Sequence, residues 1–411
     1  MSLEPVTNFK DSNGVDLGTK LVTKDYLISV YPGIGQQIGI PPELWAWGTG
    51  TYGVLGNNSG SSRSTPVTTS SGGTDWKQIS AGSNHAAAIK TDGTLWIWGN
   101  NSSFKLGNNV TTAGFNALTP VTTFSGGTNW KQVSCGGAHT AAIKTDGTLW
   151  TWGYAGDGRL GNGNILDARF TPITTFAGGT NWKQVSSGLN ATMAAIKTDG
   201  TLWTWGFSGY LGIGVVTGNR STPVTTFSGG NNWKQVACGS GHMAAIKTDG
   251  TLWTWGYGGN GRLGNGVTSG TVSTPVTTFA GGTNWKQVAC GSGHMAAIKT
   301  DGTLWTWGNP SNGRLGNAVI TTNRSTPVTT FSGGTNWKQV ECGYVHTAAI
   351  KTDGTLWTWG YGGNGRLGNG VTSGTVSTPV TTFAGGTNWK QVNAGNGGNN
   401  LAIKSVDFAD F

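Results

Sequence analysis

Trp233-Lys-Gln-Val-Ala-Cys-Gly-Ser-Gly-His242-Met-Ala-Ala-Ile-Lys247-Thr-Asp-Gly250-Thr-Leu-Trp-Thr-Trp-Gly256 is the stretch that decides the fold, because it recurs in register along the chain. Trp233 to Ala237 reads as a β-strand and Gly239-Ser-Gly-His242 as a turn. Met243 to Lys247 reads as a second strand, closed by a Thr248-Asp-Gly250 hairpin turn. Thr251 to Gly256 reads as a third. After a glycine-rich loop, Thr274-Pro-Val-Thr-Thr-Phe279 reads as a fourth, with proline where an outer edge strand can spare an N–H. Apolar or small residues occupy both parities of the first three strands, as expected of sheets covered on both faces.

The Leu-Trp-x-Trp-Gly motif places its first tryptophan at Trp45, Trp96, Trp150, Trp203, Trp253, Trp305 and Trp357. The Trp-Lys-Gln motif recurs at Trp76, Trp130, Trp182, Trp233, Trp285, Trp337 and Trp389, and together the two use all 21 tryptophans. A period of about 50 residues is that of a propeller repeat. The repeat region opens on a third strand, Leu44-Trp-Ala-Trp-Gly48, and closes on a first and a second, Trp389 to Val392 and Leu401 to Lys404. Joining the two part-copies completes a seventh blade and removes the open edges of a linear array. The expected fold is all-β: a seven-bladed β-propeller over residues 44–408, closed by pairing N- and C-terminal strands in one blade and preceded by an N-terminal arm, residues 1–43.

The unit Gly-x-x-His-x-Ala-Ala-Ile-Lys-x-Asp-Gly-Thr-Leu-Trp-x-Trp-Gly, followed by Gly-x-Leu-Gly, resembles the regulator-of-chromosome-condensation repeat over residues 44–404. The resemblance implies the propeller fold, and its members range over nucleotide exchange, light sensing and β-lactamase inhibition, so fold alone does not carry function. Light-sensing members use Gly-Trp-Arg-His turns. Here those turns read Gly239-Ser240-Gly241-His242 and Gly343-Tyr344-Val345-His346, without the Trp and Arg, so light sensing is not expected. The basic tail of the chromatin-bound exchange factor has no counterpart either.

No motif supports catalysis. His85, His139, His242, His294 and His346 stand at one repeat position, one per blade, where Thr192 and Asn399 replace them; they read as polar residues bonding turn backbone rather than as metal ligands or general bases. Asp92, Asp146, Asp199, Asp249, Asp301 and Asp353 are hairpin-turn aspartates. The loop Gly258 to Gly266 lacks the Gly-Lys-Ser/Thr ending of a phosphate loop and the carboxylates of a calcium loop. Cys135, Cys238, Cys290 and Cys342 share a slot that Ala81, Ser187 and Ala394 fill elsewhere, so they read as small buried thiols. No cofactor, metal or small-molecule substrate is expected.

Charge and loops point to binding. The formal net charge is +9, with Trp-Lys-Gln and Ile-Lys lysines on one face of the disc and all eight arginines in or beside the loops of the other. That charge has two readings: the repeated lysines solubilise the blade rims, or they attract an anionic surface such as an envelope polysaccharide or an acidic protein, with nucleic acid not expected. The loops after the third strands differ most between copies, and Phe115, Phe170, Tyr210, Arg220 and Arg324 in or beside them are candidate partner contacts. Residues 253–288 and 357–392 are identical, which offers one small surface twice.

In the arm, residues 23–31 read as a short helix with Thr23 as N-cap and Pro32 beyond its end. The opening stretch has no apolar core of a secretory signal, and no apolar run is long enough to span a membrane. The arm, Asn13 to Lys20 and Asp25 to Pro32, resembles the leader before such repeats in bacteriophage particle proteins. That resemblance implies a virion component, a tail-fibre, baseplate or capsid-surface protein anchored to other virion proteins through Tyr26, Leu27 and Tyr31, its propeller meeting a host-surface glycan or protein or another copy of itself. The alternative is a free-standing adaptor or inhibitor that caps a partner protein with its loop face.

Overall fold

Each repeat folds as an antiparallel sheet because its two motifs bring tryptophans together across it. In the computed structural model, which describes residues 4–6, 20–22, 42–70, 73–112 and 114–405, the quoted repeat forms Trp233–Cys238, His242–Lys247, Leu252–Tyr257 and Thr271–Thr277, in that spatial order. Trp233 meets Trp253 and Trp255 edge-on at centroid distances of 6.1 and 6.5 Å, as ring quadrupoles favour. The Lys247 ammonium lies 4.8 Å from the Trp233 ring and 4.5 Å from that of Trp253. The lysine ending the second strand therefore caps the indole pair, a contact worth about 0.5–2 kcal/mol. Lys90, Lys144, Lys197, Lys299, Lys351 and Lys404 repeat it.

Seven such four-stranded sheets form the propeller. The closing sheet runs Trp389–Ala394, Asn399–Lys404, Glu43–Gly48, Arg63–Thr68, with Leu44 opposite Ile403 and Gly48 opposite Asn399. Closure by pairing the two chain ends is thus observed, beginning one residue earlier than the sequence suggests. Second strands start at the histidine, since His242 pairs with Gly256. The fourth strand starts at Thr271, opposite Tyr257, and carries Pro275 on the outer edge. In the arm, Glu4–Val6 pairs antiparallel with Lys20–Val22. The expected helix over residues 23–31, with Tyr26, Leu27 and Tyr31, lies outside the described residues, as do residues 406–408 of the expected propeller span.

Neighbouring first strands do not pair with one another, yet their inner edges are satisfied. The Gln235 side chain donates from Nε2 to the Val288 carbonyl at 3.2 Å and accepts the Val288 N–H at Oε1 at 3.1 Å. The glutamine of Trp-Lys-Gln thus acts as a one-residue strand. Gln78, Gln132, Gln184, Gln287 and Gln339 bind Val133, Val185, Val236, Val340 and Val392 in the same way. At the seventh junction the Ala81 N–H donates to Asn393 Oδ1 at 2.7 Å, as the Cys135, Ser187 and Cys238 N–H groups do to Ser80, Ser134 and Ser186, but no glutamine tie accompanies it among the described residues. These strands enclose a central channel of about 300 Å³.

Replacing Gln235 with Ala strips two hydrogen bonds and leaves a Val288 N–H and C=O facing the channel, an expected loss of about 1–3 kcal/mol. Gln391→Ala, at the junction Asn393 bridges, is expected to cost less. Denaturation followed by tryptophan fluorescence compares the two; equal losses would contradict the glutamine tie.

Candidate functional site

The third strand ends at its glycine or one residue past it and runs into a single 3-10 turn, Gly259–Gly261 in the quoted repeat, then Arg262-Leu-Gly264. Leu263 is buried. Gly264 has φ +67°, and a Cβ there would stand 2.7 Å from Trp307 Nε1 of the next blade, so only glycine lets the backbone pass. The Arg262 carbonyl accepts that indole N–H at 3.0 Å. The carbonyls of Val54, Lys105, Arg159, Arg314 and Arg366 do the same for Trp98, Trp152, Trp205, Trp359 and Trp47. The exception is Trp255. The loop it faces, Phe207 to Leu211, is two residues shorter, and its Nε1 is buried without a partner.

The histidines serve the same junctions. His85 Nε2 lies 2.9 Å from Thr140 Oγ1, which itself donates to the Lys105 carbonyl at 2.8 Å. That hydroxyl can only accept from the ring, so the Nε2–H tautomer is fixed. His294 with Thr347, and His346 with Asn400, repeat the arrangement over the Arg314 and Arg366 carbonyls. The expectation that these histidines bond turn backbone fits only His242, whose Nδ1 is 3.4 Å from the Ser240 carbonyl. The others reach the next blade, because the following residue there presents an acceptor. Burial holds all five well below the ordinary histidine range, to about 3 at His139 and His242 and about 4 at His346.

With the carbonyls spent on neighbouring blades, the side chains after the turns ring one face of the disc: Lys105, Arg159, Arg262, Arg314 and Arg366. All five are largely buried. Desolvation lowers each below its usual value, to about 8 for Lys105 and about 10 for Arg314. Arg159, Arg262 and Arg366 lie against the rings of Tyr154, Tyr257 and Tyr361. Arg63, Arg169, Arg220 and Arg324 open fourth strands on the same face. Among the described residues, one arginine has an ion pair: Arg159 Nη2 with Asp157 Oδ2 at 3.2 Å.

Two grooves open beside this ring, at the two blade junctions whose turn before the second strand is one residue longer. One is lined by Asp157, Arg159, Asn190, Phe207 and Tyr210, the other by Asn312, Tyr344, Tyr361, Arg366 and Asn396. Of the sequence-predicted contacts, Tyr210 lies in the first groove, against Phe207 at 5.1 Å. Phe170 is exposed and meets Phe104 at 5.8 Å. Phe115 is partly buried against the core. Arg220 Nη1 donates to the Gly218 carbonyl, and Arg324 keeps a buried Nε without a partner. These five are spread around the rim rather than gathered.

The sequence reading passed over the buried arginines as site residues, although Gly-Arg-Leu-Gly recurs after the third strand in four copies. It also passed over Phe124, Phe176, Phe227, Phe279, Phe331 and Phe383, exposed where fourth strands end. A periodic aromatic reads as core unless its place beyond the strand is known. The four cysteines are free and buried, and burial pushes Cys135 and Cys238 up to about 12, where a thiol is inert. No helix among the described residues is long and apolar enough to cross a membrane.

A family model described as RCC1-like domain matches residues 43–403. The ultraviolet-B receptor UVR8 of Arabidopsis thaliana is 30% identical over 329 residues, which cover 79% of this chain and 74% of that protein. Human HERC2, an E3 ubiquitin-protein ligase, is 26% identical over 359 residues, 86% of this chain but 7% of that protein. Yeast RCC1 (Prp20), solved bound to Kap60, shares the fold, with a TM-score of 0.77 and 20% identity over 90% of each chain.

The histidines make acid stability a test of the junctions. Above pH 6.5 they are neutral folded or unfolded and their contribution is complete. As pH falls toward 4, the unfolded chain takes up protons that the folded one refuses, so stability is lost through that window. The hairpin aspartates, held below 3.8 chiefly by hydrogen bonds from the threonines two residues on, add their loss only under pH 4. The unfolding midpoint is expected to drop between pH 6.5 and 4.5, and the double variant His139→Asn/His242→Asn to flatten that slope. Glu341, half-buried in the channel where other blades have Ser, Ala or Asn, is raised by burial to about 7. Its sign is opposite: stability falls as pH rises from about 4.5 to 7, so Glu341→Ala is expected to be more stable than the parent at pH 8, the gap closing by pH 5.

Proposed function

The chain belongs to the RCC1-like domain family, and from that premise we propose that it is a non-enzymatic docking module whose loop face holds an acidic partner protein. The observation that carries this reading is eight arginines on one face with a single carboxylate paired among them. Cations held partly out of water without counter-charge weaken the free protein, and an incoming carboxylate regains that energy. Asp157 already does so for Arg159. Support for a non-enzymatic role comes from the histidines, whose imidazoles are neutral and buried between blades. Among the described residues no three His, Cys, Asp or Glu side chains gather as metal ligands.

The test is binding of fluorescent polyglutamate to the full chain. Arg220→Glu/Arg324→Glu on the loop face is expected to weaken it at least tenfold, and Lys234→Glu/Lys286→Glu on the opposite face far less. The reverse order would overturn the reading. We place the module in a bacteriophage particle on the strength of its arm sequence. Mass spectrometry of purified particles is expected to recover it at fixed stoichiometry; recovery only from host cytosol would favour a free adaptor that caps a cellular protein.

A further inference from the structure

Residues 253–288 and 357–392 are identical, so Arg262 and Arg366 leave the same turn in the same way. Each Nε donates to the carbonyl three residues earlier, Gly259 or Gly363, at 2.9 or 2.8 Å, and each guanidinium lies against a tyrosine. Their ends differ. Arg262 Nη1 donates to the Ser240 and Ser292 carbonyls, at 3.2 and 3.0 Å, tying together the turns of two blades. Arg314 Nη1 donates to the Tyr344 carbonyl and Arg159 Nη2 to Asp157. Arg366 is 8% exposed, and its Nη atoms make no hydrogen bond to protein among the described residues. In the next blade, residues 395–398 form a turn one residue longer than residues 291–293, the turn that Arg262 reaches through Ser292.

The Arg366 guanidinium lines the second groove, about 420 Å³ in volume, with Asn312, Tyr344, Tyr361 and Asn396. Asn396 Oδ1 is buried without a partner, and a half-turn of that amide would present Nδ2 as a further donor. The first groove shows what such an arginine takes: Asp157 lines that groove and pairs its own carboxylate with Arg159. The repeat position of Asp157, two residues before the arginine, is Asn364 beside Arg366. We propose that the groove between Tyr344 and Asn396 is a carboxylate pocket in which Arg366 receives one acidic side chain of the partner protein, a step that rests on the loop-face reading above. A planar guanidinium fork matches the two oxygens of a carboxylate, and the half-exposed Tyr344 and Tyr361 rings flank the stem that would carry it.

The experiment uses fluorescein-labelled hexaglutamate and the full chain, each variant checked for a parental unfolding midpoint. Arg366→Lys, which keeps the charge and loses the fork, is expected to weaken binding about tenfold. Asn364→Asp, which supplies an internal carboxylate, is expected to do the same, while Lys286→Gln, on the opposite face, binds as the parent does. Equal affinity in all three variants, or an equal loss in all three, overturns the pocket while leaving the loop face as the docking surface. Competition by sialic acid or inorganic phosphate, but not by free glutamate peptide, also overturns it. No hexaglutamate binding by the parent would sink the loop-face reading itself.

Discussion

Six residue pairs between Glu43–Gly48 and Asn399–Lys404 hold the ring shut, and the arginine face depends on that closure. Blades touch only their neighbours. An open array would leave the Ala81 N–H without its Asn393 tie and one indole-lined face in water. Closing a loop of several hundred residues costs little more than closing a short one, since the entropy grows only with the logarithm of length. The closing junction then uses the same chemistry as the rest: Trp47 donates to the Arg366 carbonyl, and His346 reaches Asn400. What closes the ring also fixes the position of Arg366.

Tryptophan, alanine and isoleucine supply the burial, but polar groups set the angle between blades. Six glutamines each bind both backbone groups of one valine on the next first strand, and six second indoles each meet one carbonyl after a 3-10 turn. Such bonds have narrow geometry, whereas apolar contact tolerates sliding. Buried polar groups that pair only at one blade angle exclude the others, because an unmet donor costs about 1–3 kcal/mol. Trp255 shows the limit. Its neighbouring loop is two residues short, its Nε1 has no partner, and the sheet still forms.

The fold was legible because it is written in residues whose environment repeats: two tryptophan motifs, an Asp-Gly turn, and two part-copies that complement each other. The closing blade could be read from Leu44 and Ile403 alone. The candidate site was legible only in part. That the arginines lie on the loop face follows from strand direction, but which guanidinium is spent depends on carbonyls some 20 to 30 residues away, one in the same blade and one in the next, as in the contacts of Arg262 with Ser240 and Ser292. The histidines were misread for the same reason. Their partners are the residues after the next histidine, visible only once the junction is built. Phe115 and Phe170 break the repeat, which marked them as candidates, yet a break in pattern reports a local loop as readily as a surface.

Repetition and irregularity therefore divide the work. A near-perfect repeat makes seven equivalent frames, and in such a ring no face has reason to bind at one place rather than another. Asymmetry enters through turns of unequal length. One added residue before Thr192 and one before Asn399 each coincide with a groove at their junction. Identical sequence on one side of a junction then meets a different wall on the other, and the same arginine is a brace at Arg262 and an unspent donor at Arg366. Copying a whole blade preserves the scaffold, because each junction bond is local to two neighbours. Changing one turn alters a single junction without disturbing the remaining six, which is how a rigid, repetitive ring can acquire a specific site.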